Sequence, residues 1–137
     1  MLRALALATL IAVSAAGAAS AAHWTKYVDA DNGIAWSYDG DYSYKDRATG
    51  RLVVIQAISK PAASLGPAGP GEDNGVGSVV AIDCGKKNLI SISNYSPSKP
   101  LSIRGNWRDE TPKKAAGPEN EALMAAVCPH IDHVPVK

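Results

Sequence analysis

The stretch Ser78-Val79-Val80-Ala81-Ile82-Asp83-Cys84-Gly85-Lys86-Lys87-Asn88-Leu89-Ile90-Ser91-Ile92-Ser93-Asn94-Tyr95 decides the fold. Two runs rich in β-branched residues, Ser78 to Cys84 and Leu89 to Tyr95, flank Gly85-Lys86-Lys87-Asn88, and so short a turn joins neighbouring antiparallel strands. Upstream, Arg51 to Ser59 contains Leu52-Val53-Val54-Ile55-Gln56-Ala57-Ile58, apolar on both faces as a central strand must be. Trp24 to Val28 and Ile34 to Tyr38 enclose Asp29-Ala30-Asp31-Asn32-Gly33, whose Asn-Gly pair accepts the positive φ angles of a tight hairpin. Leu101 to Trp107 alternates Leu101, Ile103, Gly105 and Trp107 with Ser102, Arg104 and Asn106, which predicts one more strand with a wet face. No helix of crossover length interrupts the series, so the expected sheet is an antiparallel meander.

The helix signal comes last. Gly117-Pro118 opens a segment that runs to Val127, with Glu119 and Glu121 in the first turn, where negative charge suits the helix dipole. Pro129 is expected to stop it. Leu123, Met124, Val127 and Cys128 form one apolar stripe that needs a sheet face to cover it. Cys84 and Cys128 are the only cysteines, one at the end of a strand and one on this stripe, so a disulfide between them would fasten the helix across the sheet. The predicted class is α+β: one antiparallel sheet with a single C-terminal helix packed on it and disulfide-linked.

Residues 1–22 read as an export signal. Arg3 supplies the positive charge, Ala4 to Ala16 the apolar run, and Ala18-Ala19-Ser20-Ala21-Ala22 the small residues of a cleavage site after Ala21 or Ala22. The run is shorter than the ~20 apolar residues of a spanning helix, so no stable membrane insertion is expected. The protein is expected to be periplasmic or secreted. Removal leaves 115 of the 137 residues, 23–137, as one domain. Arg3 is one of 14 basic residues, so the remainder balances 13 basic against 13 acidic side chains. A neutral chain gives no electrostatic case for a nucleic-acid partner. Lys86-Lys87 and Lys113-Lys114 read as isolated, solvated pairs. Two segments, Lys60 to Gly75 and Arg108 to Gly117, are expected to be surface loops, the first either a mobile linker or a binding loop.

Candidate chemistry is sparse. Asp29-x-Asp31-x-Gly33 resembles the opening of a calcium loop, but its glycine falls one place early and no glutamate closes the frame. Asp39 and Asp41 read as turn formers. His130-x-x-His133 with Asp132 follows a proline stop and is not fixed on a rigid element. Cleavage after Ala22 would make His23 an amino-terminal histidine able to chelate copper with His130 or His133; otherwise His23 is a frayed end beside Trp24. No nucleophile lies in a diagnostic motif and there is no glycine-rich phosphate loop, so neither enzyme activity, a metal nor a cofactor is expected. Aromatic residues crowd the early strands. Trp36 is expected in the core, whereas Tyr38, Tyr42 and Tyr44 are candidate contact residues for a protein partner.

The order of Trp24, Ser37-Tyr38-Asp39-Gly40-Asp41-Tyr42-Ser43, Lys60-Pro61, Ile82-Asp83-Cys84, Tyr95, Trp107 and Leu123 to Val127-Cys128 resembles the bacterial surface-adhesin protein E-like family. The resemblance implies a curved antiparallel sheet of about six strands with a C-terminal helix disulfide-bonded to its concave face. It also implies an adhesin-like, noncatalytic binding function, since the adhesin that names the family is a surface lipoprotein that binds host matrix and serum proteins and can dimerise. This chain has no cysteine near residues 18–22 to carry a lipid. An alternative role is a periplasmic inhibitor of a wall-degrading enzyme, although Ser91-Ile92-Ser93-Asn94-Tyr95 lacks the glycine of the Ser-Gly-x-x-Tyr segment those inhibitors present.

Overall fold

The computed structural model describes residues 23–29, 33–59, 76–96 and 99–137. The expected export signal, the middle of the first hairpin turn and the loop 60–75 lie outside the described residues. Among the described residues seven strands form one antiparallel sheet: β1 (Trp24–Asp29), β2 (Ala35–Asp39), β3 (Tyr44–Lys45), β4 (Leu52–Ser59), β5 (Val76–Asp83), β6 (Asn88–Tyr95) and β7 (Lys113–Lys114). Their order is β1-β2-β4-β5-β6-β7, with β3 also on β4. β2 pairs with the far half of β4 (Tyr38 opposite Gln56) and β3 with its near half (Tyr44 opposite Val53), so the two lie along one edge of the same strand. Between them the Asp39 carboxylate accepts hydrogen bonds from the backbone N–H groups of Asp41 (2.9 Å) and Tyr42 (3.4 Å), the turn-forming role expected of it.

Period-two alternation along β4 and β5 builds a core on each face. Leu52, Val54, Val80 and Ile82 point to the helix side, where they meet Leu123, Met124 and Val127 of α1 (Pro118–Val127). Val53, Ile55, Val79 and Ala81 point to the other side, joined by Ile90, Ile92 and Trp107. A bulge in β6 brings Ser93 to this side as well: Val79 lies opposite Ser93 but Val80 opposite Ser91, so Ile92 is the extra residue. Ile92 and Ser93 consequently both turn inward and are buried. Ser93 is satisfied there by its hydroxyl donating to the Ser102 carbonyl at 2.5 Å.

The helix begins where the sequence predicts. Gly117 takes φ 98°, a left-handed backbone that favours glycine, and Pro118 supplies the first helical residue. Pro129 does not end the chain's helical path outright, because Cys128–His130 continue as one 3-10 turn. Cys84 and Cys128 are bonded, with Cα atoms 5.9 Å apart.

Leu101 to Trp107 is not a strand. Its alternation is real, and Leu101, Ile103 and Trp107 pack on the helix-free core, but the segment crosses that face instead of joining an edge. Its one backbone bond to β6 runs from the Arg104 N–H to the Ile92 carbonyl, 3.2 Å. The β6 edge is taken by β7, and Trp107–Asp109 closes as a 3-10 turn. The expected loop 108–117 therefore contains an edge strand and a buried Ala115. Trp36 is half-buried and belongs to neither core cluster, contrary to the expectation that it packs inside.

Candidate recognition surface

The three candidate tyrosines do not form one site. Tyr38 packs against the helix-side core, beside Tyr27 with ring centroids 6.3 Å apart. Tyr42 and Tyr44 lie on the opposite, helix-free side, where their rings meet edge-on at 5.8 Å, the geometry that aromatic quadrupoles favour. Tyr44 is placed by its ladder position opposite Val53, which shares its face, and Tyr42 by the Asp39 turn. Both rings are half-buried. Burial, followed by the neighbouring Tyr44, pushes the Tyr42 phenol up to about 12. Burial and then the Asp46 carboxylate raise that of Tyr44. Both hydroxyls therefore stay neutral, able to donate a hydrogen bond, across the physiological range.

Two cations frame this pair. Lys137 Nζ lies 5.3 Å from the Tyr44 ring centroid, and Arg108 stacks on the Trp107 ring at 4.6 Å. Lys137 is held by backbone pairing: its N–H donates to the Lys45 carbonyl at 2.9 Å, while the Lys45 N–H donates to Pro135 at 2.8 Å, so the 135–137 segment runs along the outer edge of β3. Arg108 is held by Asp46. Its Nε donates to one carboxylate oxygen at 3.0 Å and its Nη2 to the other at 2.5 Å, the two-pronged match of guanidinium to carboxylate. The Asp46 side chain is 1% exposed and that of Arg108 is 43% exposed, so the acid is the buried anchor and the guanidinium the presented group. Thr49 adds a hydroxyl bond of 2.7 Å and a backbone N–H bond of 3.1 Å to the same carboxylate. No sequence motif announces this pair, since Asp46 and Arg108 stand 62 residues apart.

The Arg108 bond, reinforced by Thr49, holds the Asp46 carboxyl below its ordinary range despite the opposing effect of burial. A depressed carboxylate stabilises the folded state fully above the unfolded aspartate pKa of about 4, and that contribution is lost as pH falls through the lower folded value. Arg108→Ala leaves the buried carboxylate with Thr49 alone. The expected cost is about 2–3 kcal/mol, toward the low end for a broken buried pair because Arg108 is partly solvated and Thr49 remains. Urea unfolding at pH 7 checks the magnitude. In a titration from pH 6 to pH 2 the variant should lose less stability than the parent below pH 4.

His23 is docked rather than frayed. Its carbonyl accepts from the Gly40 N–H at 3.0 Å, its own N–H donates to Asp39 at 3.2 Å, and its ring Nδ1 lies 3.3 Å from Asp41. His130 and His133 face each other, with ring centroids 6.5 Å apart. Among the described residues no three His, Cys, Asp or Glu side chains converge in a metal-binding arrangement. No described helix is long and apolar enough to cross a membrane.

Fold and surface together define an α+β protein with one twisted antiparallel sheet, a disulfide-tied helix on one face and an aromatic patch framed by cations on the other. No family model, no curated protein and no solved structure matches the chain.

Proposed function

We propose that the chain is an exported, noncatalytic binding protein, adhesin-like in role, that recognises extracellular or envelope proteins through Tyr42, Tyr44 and Arg108. The observation that carries this reading is the edge-on Tyr42–Tyr44 pair, seated on the sheet core and framed by two held cations. Tyrosine and arginine are enriched among residues that dominate protein interfaces, because each offers a large contact area with a polar tip. Holding them in place before contact reduces the entropy lost on binding. Export is supported by the Cys84–Cys128 bond, which suits an oxidising compartment, and by the signal-like residues 1–22. The partner is a protein, and a second copy of the chain is one partner the surface could accept.

The test is affinity capture from envelope extract and from matrix proteins, with the parent and a Tyr42→Ala, Tyr44→Ala variant as parallel baits. A protein retained by the parent and lost from the variant supports the reading. If both baits retain the same proteins equally, this surface is not the site. Intact-mass measurement of exported material checks export separately, with the mature chain expected to begin at Ala22 or His23.

A further inference from the structure

The lysine pairs that look isolated in the sequence meet in the fold. Lys86 and Lys87 form the turn between β5 and β6, whereas Lys113 and Lys114 are β7 itself. Register places Lys114 opposite Asn88 and Lys113 opposite Leu89, and the Ala115 N–H donates to the Lys87 carbonyl at 3.0 Å. Adjacent strands lie about 4.8 Å apart, so the four lysines are grouped around one corner of the sheet, Lys87 and Lys114 lining one hollow and Lys113 another. All four lysines are exposed, and none forms an ion pair among the described residues. Arg51, bonded to Asn88 Oδ1 at 2.9 Å, adds a fifth positive charge beside them. The acids nearby are Asp83, whose carboxylate accepts the Lys86 N–H at 2.9 Å, Glu121 across a hollow shared with Lys87 and Lys114, and Asp109 and Glu110 in the hollow of Lys113, where Glu110 is paired with Arg104. The corner is thus positive in a chain whose overall charge is near neutral.

We propose that this corner binds an anionic polysaccharide, a chain carrying repeated sulfate, phosphate or carboxylate groups. Protection of the exposed β7 edge accounts for Lys113 and Lys114. It does not account for Lys86 and Lys87, which lie in a turn. Lys87 moreover holds φ 54°, and it is the one described residue other than glycine with a positive φ. Among the described residues no aromatic side chain lines the two hollows beside these lysines to stack on bases, which single-stranded nucleic acid would use. Nor, among the described residues, is an apolar anchor for a bilayer close by: the exposed large apolar residues are Val76, at the far end of β5, and Val136, across the sheet on Lys45. The disulfide at the foot of the corner suits an oxidising compartment, and the choice of a polysaccharide as occupant rests on the export proposed above. This site is separate from the Tyr42–Tyr44 surface and does not depend on it.

The test uses the intact, disulfide-bonded protein and heparin as probe. Binding should be measurable at 50 mM NaCl and fall about 50-fold by 200 mM, as expected when about four charge contacts release counterions. Substituting Lys86, Lys87, Lys113 and Lys114 together by Gln should abolish it. Lys86→Gln with Lys113→Gln, which leaves the positive-φ residue untouched, should show an intermediate loss. A control with Lys26, Lys45, Arg47 and Lys99 changed to Gln removes equal charge elsewhere and should retain binding within about twofold of the parent. The proposal is overturned if the parent does not bind heparin at 50 mM NaCl, or if the control loses as much as the corner variant. It is equally overturned if single-stranded DNA or anionic phospholipid vesicles bind the corner more tightly than heparin.

Discussion

Replacing Cys84 and Cys128 together by alanine is expected to lower the folding free energy by about 2–4 kcal/mol. The bond closes a loop with a sequence separation of 44, for which chain entropy alone gives roughly 4 kcal/mol as an upper figure. That loop contains β6, β7, the crossing segment and the helix, so the unfolded variant regains freedom over much of the fold. The folded variant keeps the stripe of Leu123, Met124 and Val127 against Leu52, Val54, Val80 and Ile82. It should therefore fold with the same far-ultraviolet spectrum but melt roughly 10 °C lower. An unchanged melting temperature would show that the bond does not constrain the unfolded chain.

A comparable loss is expected from a single methyl group. Gly77 lies opposite Ala57 on β4 and Tyr95 on β6, and a Cβ at this position would collide with the Gln56 carbonyl oxygen and stand 2.7 Å from the Ala57 Cα. Neither atom is the end of a flexible side chain, so the backbones must separate. The close approach accompanies a strong curl of the sheet at this end: β2, β4 and β5 separate β1 from β6, yet the rings of Trp24 and Tyr95 are 5.4 Å apart. Gly77→Ala should cost about 3 kcal/mol, the upper range for forcing extra volume into a packed site. It should also loosen the Trp24–Tyr95 contact, which tryptophan fluorescence would report. Gly105→Ala is the matched control, because an added Cβ there has nothing within 4 Å; it should change stability by less than about 0.5 kcal/mol.

Much of the architecture is legible from local chemistry. The hairpins, the central strand with two apolar faces, the helix limits and the disulfide follow from turn residues, alternation and capping, all of which act within a few residues. Leu101–Trp107 marks the limit of such local signals. Alternating apolar residues report that one face of a segment is buried, but not whether its backbone joins a ladder. Here Ile103 and Trp107 cover the sheet from above while two lysines take the edge. The candidate recognition surface is only half legible. Tyr42 and Tyr44 can be chosen from composition, but the turn between β2 and β3 puts Tyr38 on the other face. The Asp46–Arg108 anchor and the lysine corner join segments far apart in sequence, and only the sheet register brings them together.

The central claim is that Tyr42 and Tyr44, on the helix-free side, make the contact with a protein partner. The most direct measurement is a titration of the captured partner against the parent, Tyr44→Ala and Tyr38→Ala, at a temperature where circular dichroism shows all three folded. The account predicts that Tyr44→Ala weakens affinity by about 30-fold, the loss typical of a dominant interface residue, while Tyr38→Ala changes it by less than about twofold. Equal affinity for the parent and Tyr44→Ala, or a larger loss from Tyr38→Ala, would contradict it.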